Sequence, residues 1–242
     1  MKILKIITIV LILFSSCKKE NRCDCIKRTG EIITEIRTVP LFDRLFVEQD
    51  VNVFLTQDSV TEVKVEAGEN IAPLIQTVVE EGVLIIRNKN RCNWARSYNK
   101  PLNVYIKTPG LKYIHSNGSG NIKSLNTITK DTFDVRIEGS GDIDLTISNS
   151  QIISHIYGFG DLILHGSTKE HLCSIGGSSF LYAADLYTYN TWIQSYTLGE
   201  CYLKASSLLT YRIDDKGDIY SIGIPPIIQK TSNDGEGKLI FE

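Results

Sequence analysis

Five residues fall at one slot of a recurring phrase and could do chemistry together: Asn121, Asp142, Asp161, Glu200 and Asp218. Stacked carboxylates are one way to hold calcium. Glycine-rich calcium repeats do so with a nine-residue period, and here the spacing is near twenty. The expected role is instead turn capping, in which an Asp or Asn oxygen accepts a hydrogen bond from turn backbone. A second series, His115, Arg136, His155, Cys173, Gln194 and Arg212, is expected in one outward slot. His115 and His155 would then lie two strand spacings apart, roughly 10 Å. One zinc ion reaches its ligands at about 2 Å, so this series reads as a solvated face. Arg136, Asp142 and Asp144 supply the residue types of a polysaccharide-cleaving site, as does any ordinary charged surface. The Gly-Ser-Gly-Asp phrase lacks the third Gly, the helix and the Lys of a phosphate or dinucleotide loop. No catalytic residue, metal site or cofactor is expected.

The elements that must carry these residues repeat. Gly118-Ser119-Gly120-Asn121-Ile122 returns as Gly139-Ser140-Gly141-Asp142-Ile143 and as Gly158-Phe159-Gly160-Asp161-Leu162. Looser copies follow at Ser178-Ser179-Phe180, Gly199-Glu200-Cys201, Gly217-Asp218-Ile219 and Gly237-Lys238-Leu239. A period near 20 with strand-like content in each copy indicates an all-β fold, a β-solenoid of about 20 residues per rung. Within a rung the pattern alternates. Val135 and Ile137 point in, and Leu172/Ser174, Ile193/Ser195 and Tyr211/Ile213 are assigned to the same slots. After the glycines, Ile122, Ile143, Leu162, Phe180, Cys201 and Ile219 share one inward slot, and Leu145, Leu164, Tyr182 and Leu203 the next. The glycines are expected to supply positive φ at the corner between two strands. Runs at 45–55, 63–67, 83–87 and 102–107 read as strands leading into the coil, with one short helical turn within 71–79 and a polar loop at 88–101.

This register leaves an apolar stripe on the outside. Ile163, Leu181, Tyr202 and Tyr220 follow Lys123 and Asp144 in one outward slot, while Tyr157, Ile175 and Tyr196 lie outward on the preceding strand. Contiguous exposed apolar residues mark interfaces, and Tyr is favoured at binding surfaces. These seven residues are the candidate interface, for a protein or glycan ligand or for self-association.

The N-terminus is an address. Lys2 and Lys5 precede an apolar run from Ile6 to Phe14, then Ser15-Ser16-Cys17. The run is too short for a bilayer of about 30 Å, so it is an export signal. The two small residues before Cys17 resemble a bacterial lipobox, which implies cleavage after residue 16 and lipid attachment at Cys17. Residues 17–37 then serve as lipidated Cys and tether, and 38–242 as one β-helix domain. Five further cysteines remain, an odd number, so at least one is unpaired. Cys23 and Cys25 are too close for a self-contained disulfide, and their pairing with Cys92 stays open. With 26 basic and 28 acidic side chains and a net charge of −2, no excess of charge points to nucleic acid. Apolar residues at 42 % exclude a globally disordered chain.

Over about 39–242 the chain resembles the head GIN domain family of auto-transporter-adhesin type, frequent in lipoproteins of Bacteroidetes-type bacteria. The resemblance rests on the run from Phe46 to Gln57, the strand Gly82 to Arg87, the segment Thr108 to Lys112, the Gly-Ser-Gly repeats, and the segment Gly217 to Pro225. It implies a right-handed, single-stranded parallel β-helix. The functional expectation is a non-catalytic, lipid-anchored module of the cell envelope, at the outer membrane of a Gram-negative bacterium, binding protein or glycan. The alternatives are a carbohydrate-active β-helix enzyme and a structural homo-oligomeric scaffold.

Overall fold

The computed structural model describes residues 28–90 and 101–242. Cys17, Cys23, Cys25 and Cys92 lie outside these residues, as do the leader and most of the 88–101 loop. The regular coil begins with β8 (Tyr113–Gly118) and β9 (Ile122–Ser124), followed by β10 (Thr132–Ile137). Four long strands carry it on: β11 (Ile143–Ile156), β12 (Leu162–Gly177), β13 (Leu181–Thr197) and β14 (Cys201–Ile213). It ends with β15 (Ile219–Ser221), β16 (Ile227–Asn233) and β17 (Leu239–Phe241). Each long strand closes one rung and opens the next, and all pairings along this stretch are parallel.

Hydrophobic alternation dictates the register. Val53, Ile122, Ile143, Leu162, Leu181, Cys201 and Ile219 lie directly over one another, spaced 18 to 21 residues apart within the coil, and all are fully buried. Burying one such aliphatic side chain contributes roughly 1.5–3 kcal/mol. A shift of one residue in any rung would turn its whole apolar set to water. That penalty holds the coil in phase.

The expected phase fails in one rung. Gly177 packs over Gly158, and Gly199 packs over Ser179, so Ser179 takes the place expected for Ser178. The rung therefore slides by one residue. Leu181 and Ile175, expected outward, are fully buried in the core, and so is Cys173. Tyr182, Leu172 and Ser174, expected inward, face out, and Phe180 is half-buried.

The corner glycines also differ in mechanism from the expectation. Gly118, Gly120, Gly139, Gly141, Gly158 and Gly160 have no positive φ; in the Gly-x-Gly ladder only Gly177 does, at 79°. They are required because the rungs nearly touch. A Cβ on Gly139 would sit 2.0 Å from the Gly118 carbonyl oxygen, and one on Gly141 would sit 2.1 Å from that of Gly120.

The N-terminal portion does not wind in sequence order. β2 (Arg44–Gln49) and β3 (Asn52–Gln57) form a rung lying against β8 and β9. On their other side lie β6 (Val83–Asn88) and β7 (Asn103–Thr108), which come later in the chain. Antiparallel strands then close this end: β5 (Ile75–Glu80) on β6, and β4 (Glu62–Gly68) on β7. β1 (Ile32–Arg37) pairs with β4, so the folded body reaches back into the segment expected to be tether. A short 3-10 turn at Ala72–Leu74 occupies the expected helical position.

Candidate functional site

Two columns on the face built by β9, the opening parts of β11 to β14, β15 and β17 define the candidate surface. The first is a capping ladder. The Asn121 N–H donates to Asn52 Oδ1 at 3.0 Å, the Asp142 N–H to Asn121 Oδ1 at 3.0 Å, and the Asp161 N–H to Asp142 Oδ1 at 2.9 Å. The Phe180 N–H donates to Asp161 Oδ1 at 2.8 Å, and the Lys238 N–H to Asp218 Oδ1 at 2.7 Å. Each side chain thus satisfies backbone exposed at the glycine corner one rung on. Phe180 takes the ladder's slot in the rung that slid.

The second column lies beside it, two residues further along each strand. Lys123, Asp144, Ile163, Tyr182, Tyr202, Tyr220 and Ile240 follow one another across the outer surface. Tyr182 and Tyr202 stack with ring centroids 5.8 Å apart and planes 9° from parallel. Tyr202 and Tyr220 stack at 4.9 Å and 11°, and Phe180 lies alongside Tyr182 at 6.0 Å and 5°. Such offset stacks contribute roughly 0.5–1.5 kcal/mol beyond area burial. Ring faces are therefore turned to one another, and the solvent meets ring edges and hydroxyls. The Tyr202 hydroxyl donates to Glu200 Oε2 at 2.6 Å, which pushes its pKa up to about 12. Burial first, then neighbouring carboxylates, raise Tyr182 and Tyr220. The three phenols stay protonated at any physiological pH. The result is a largely apolar stripe carrying the Tyr182 and Tyr220 hydroxyls, bordered by Asp161, Glu200 and Asp218.

Of the seven residues expected at the interface, Ile163, Tyr202 and Tyr220 belong to this stripe. Tyr157, just after β11, and Tyr196, near the end of β13, lie across the glycine corner, 48 % and 38 % exposed, with Gly176 between them. The Tyr157 hydroxyl shares a 2.7 Å hydrogen bond with Ser174 Oγ. Ile175 and Leu181 drop out because the slid rung buries them. Phe180, Tyr182 and Ile240 were missed. A hint was available: placing Tyr182 outside aligns three tyrosines in one column.

The polar series runs His115, Arg136, His155, Ser174, Gln194 and Arg212, with Ser174 where Cys173 was expected. Glu138 gathers its first two members, through His115 Nε2 at 2.8 Å and Arg136 Nε at 2.9 Å. The Arg136 hydrogen bond, then that to His115, holds the Glu138 carboxyl below its usual range. Arg136, Asp142 and Asp144 do not converge. Arg136 is paired with Glu138, Asp142 caps Asp161, and Asp144 meets Lys123 Nζ at 2.6 Å. Among the described residues no three His, Cys, Asp or Glu side chains are grouped to hold a metal ion.

The family model described as "Putative auto-transporter adhesin, head GIN domain" matches residues 41–225. The chain belongs to this head GIN domain family. Several solved structures share its fold across nearly their whole length. A "putative adhesin" from Bacteroides fragilis NCTC 9343 superposes with a TM-score of 0.82 at 22 % identity, covering 88 % of this chain and 97 % of that one. One from Parabacteroides merdae ATCC 43184 gives 0.66 at 17 %, covering 88 % and 98 %. A "putative lipid binding protein" from Parabacteroides distasonis ATCC 8503 gives 0.65 at 20 %, covering 88 % and 97 %. At these identities the likeness is one of fold. No curated protein sequence matches the chain.

Proposed function

We propose that this head GIN protein is a non-catalytic, adhesion-type module of the bacterial cell envelope, tethered by lipid on Cys17, that docks a protein partner on its stacked-tyrosine face. The observation that carries this reading is the column Ile163–Tyr182–Tyr202–Tyr220–Ile240 on the outer face of the parallel coil. Tyrosine, with an apolar ring and a polar tip, is enriched at protein interfaces. A sugar ring stacks on an open aromatic face, and here the faces are taken up by neighbouring rings. That favours protein over glycan. The carboxylates beside the stripe suit a partner with basic or hydrogen-bond-donating groups around an apolar centre. The lipobox-like Ser15-Ser16-Cys17 supports the lipid anchor, and the adhesin-type family supports a place in the cell envelope.

The test is a binding screen of the chain from residue 18 onward against solubilised envelope proteins and a glycan array. The comparison is a Tyr182→Ser/Tyr202→Ser/Tyr220→Ser variant. Protein binding that weakens at least tenfold in the variant supports the reading. Binding to glycans alone, or binding untouched by the triple change, overturns it.

A further inference from the structure

The two ends of the coil are finished differently. Antiparallel β5 and β4 cover the N-terminal end. At the other end β16 and β17 pair only inward along the coil, with β14 and β15, among the described residues. The core is also uncovered there. Ile228, in the column of buried Leu209, is 41 % exposed, and Phe241, in the column of buried Ser221, is 38 % exposed.

The hydrogen bonds of β17 show which of its backbone groups face out of this end. The Ile219 N–H donates to the Lys238 carbonyl at 2.8 Å, and the Glu242 N–H to the Ser221 carbonyl at 3.0 Å. Backbone direction alternates along a strand, so Lys238, Ile240 and Glu242 turn their amides and carbonyls to β15. Those of Leu239 and Phe241 point out of the coil. Their side chains alternate too, with Leu239 and Phe241 over the core and Lys238, Ile240 and Glu242 outside.

We propose that two copies of this chain join end to end through β17, across a two-fold axis at Ile240. The strand Lys238-Leu239-Ile240-Phe241-Glu242 is its own antiparallel complement. Leu239 of one copy faces Phe241 of the other, and these are the residues whose backbone groups are directed outward, so both pairs form full hydrogen-bonded pairs. On the outer face Lys238 meets Glu242 of the second copy, twice by symmetry. On the inner face Leu239 and Phe241 meet over the open core and make the two cores continuous. This charge order and apolar order commit the surface to a second copy rather than to an arbitrary strand. Lys230, exposed on β16, disfavours unregistered edge pairing. A two-fold contact closes on itself, so this contact makes a dimer.

Sedimentation velocity of the chain from residue 18 onward, over a range of concentrations, tests this. That segment keeps every described strand. The expected result is a monomer–dimer equilibrium. Lys238→Glu alone, or Glu242→Lys alone, weakens it on the order of tenfold by making both symmetry-related pairs repulsive, and the double swap restores it. Leu239→Pro removes an outward-facing N–H and abolishes the dimer while circular dichroism shows the coil still folded. A monomer at every soluble concentration overturns the proposal, as does a dimer indifferent to the swaps. Either result leaves partner binding by Tyr182, Tyr202 and Tyr220 untouched, since those side chains lie on the side of the coil and the dimer contact shares only Ile240 with their column.

Discussion

The Phe180 amide donates to Asp161 Oδ1, 2.8 Å away and one rung back, so an aromatic residue stands where the neighbouring rungs carry Asp161 and Glu200. The bond makes the acidic column a device for satisfying backbone. Asp161→Ala is expected to cost about 1–3 kcal/mol by leaving that amide unpaired. Adding calcium or a chelator is expected to leave the wild-type melting temperature unchanged. Thermal melts with and without calcium check both. A calcium-dependent rise would return the column to metal binding.

The glycine corners give a second prediction. Gly141→Ala places a methyl 2.1 Å from the Gly120 carbonyl oxygen, backbone that cannot step aside cheaply. The expected loss is about 2–3 kcal/mol in urea unfolding. Gly110→Ala, whose methyl would meet only the Lys130 amine at 3.7 Å, is expected to change stability by less than about 0.5 kcal/mol. Equal effects would mean the corners are not packed rung on rung.

The period and most inward columns were legible because each rung repeats the same requirement: apolar in, polar out, glycine where backbones nearly touch. Register was lost where the Gly-x-Gly signal was lost. Around Gly176-Gly177-Ser178-Ser179 the glycine pair is a decoy, since only Gly177 lies in the ladder. One residue of error exchanged Tyr182 for Leu181 and Ser174 for Cys173, and it hid part of the tyrosine column. The placement of β2 and β3 between β6–β7 and β8–β9 was not legible at all. It depends on pairing between segments far apart in sequence, which leaves no period to read.

His171 offers a pH test. It is fully buried in the column of Ile152 and Leu209, and its Nε2 shares a 2.8 Å hydrogen bond with Ser154 Oγ. Burial lowers its pKa from 6.5 to about 4. Above pH 6.5 the ring is neutral in both states and its contribution is complete. Between pH 6.5 and 4 the unfolded chain takes up a proton that the folded chain refuses, so stability falls. The accumulated loss is about 3 kcal/mol. Urea titrations at pH 7.5 and 4.5 measure it, and His171→Leu is expected to remove that share of the pH dependence.

The thiols of Cys173 and Cys201 are free and buried. Burial pushes Cys173 up to about 12, and Cys201 is raised as well. Neither is expected to react with a thiol reagent in the native protein at pH 8, and both are expected to react in denaturant. In a variant whose other cysteines are serine, native-state labelling would contradict the inward register of β12 and β14.

Site-specific photocrosslinking in the cells that make the protein tests the docking face most directly. Benzoylphenylalanine is placed at Tyr202, inside the stacked column, or at Tyr189, an exposed tyrosine outside it. The account predicts a discrete adduct with another protein on irradiation at Tyr202 and none at Tyr189. No protein adduct at Tyr202, or equal adducts at both positions, would contradict it.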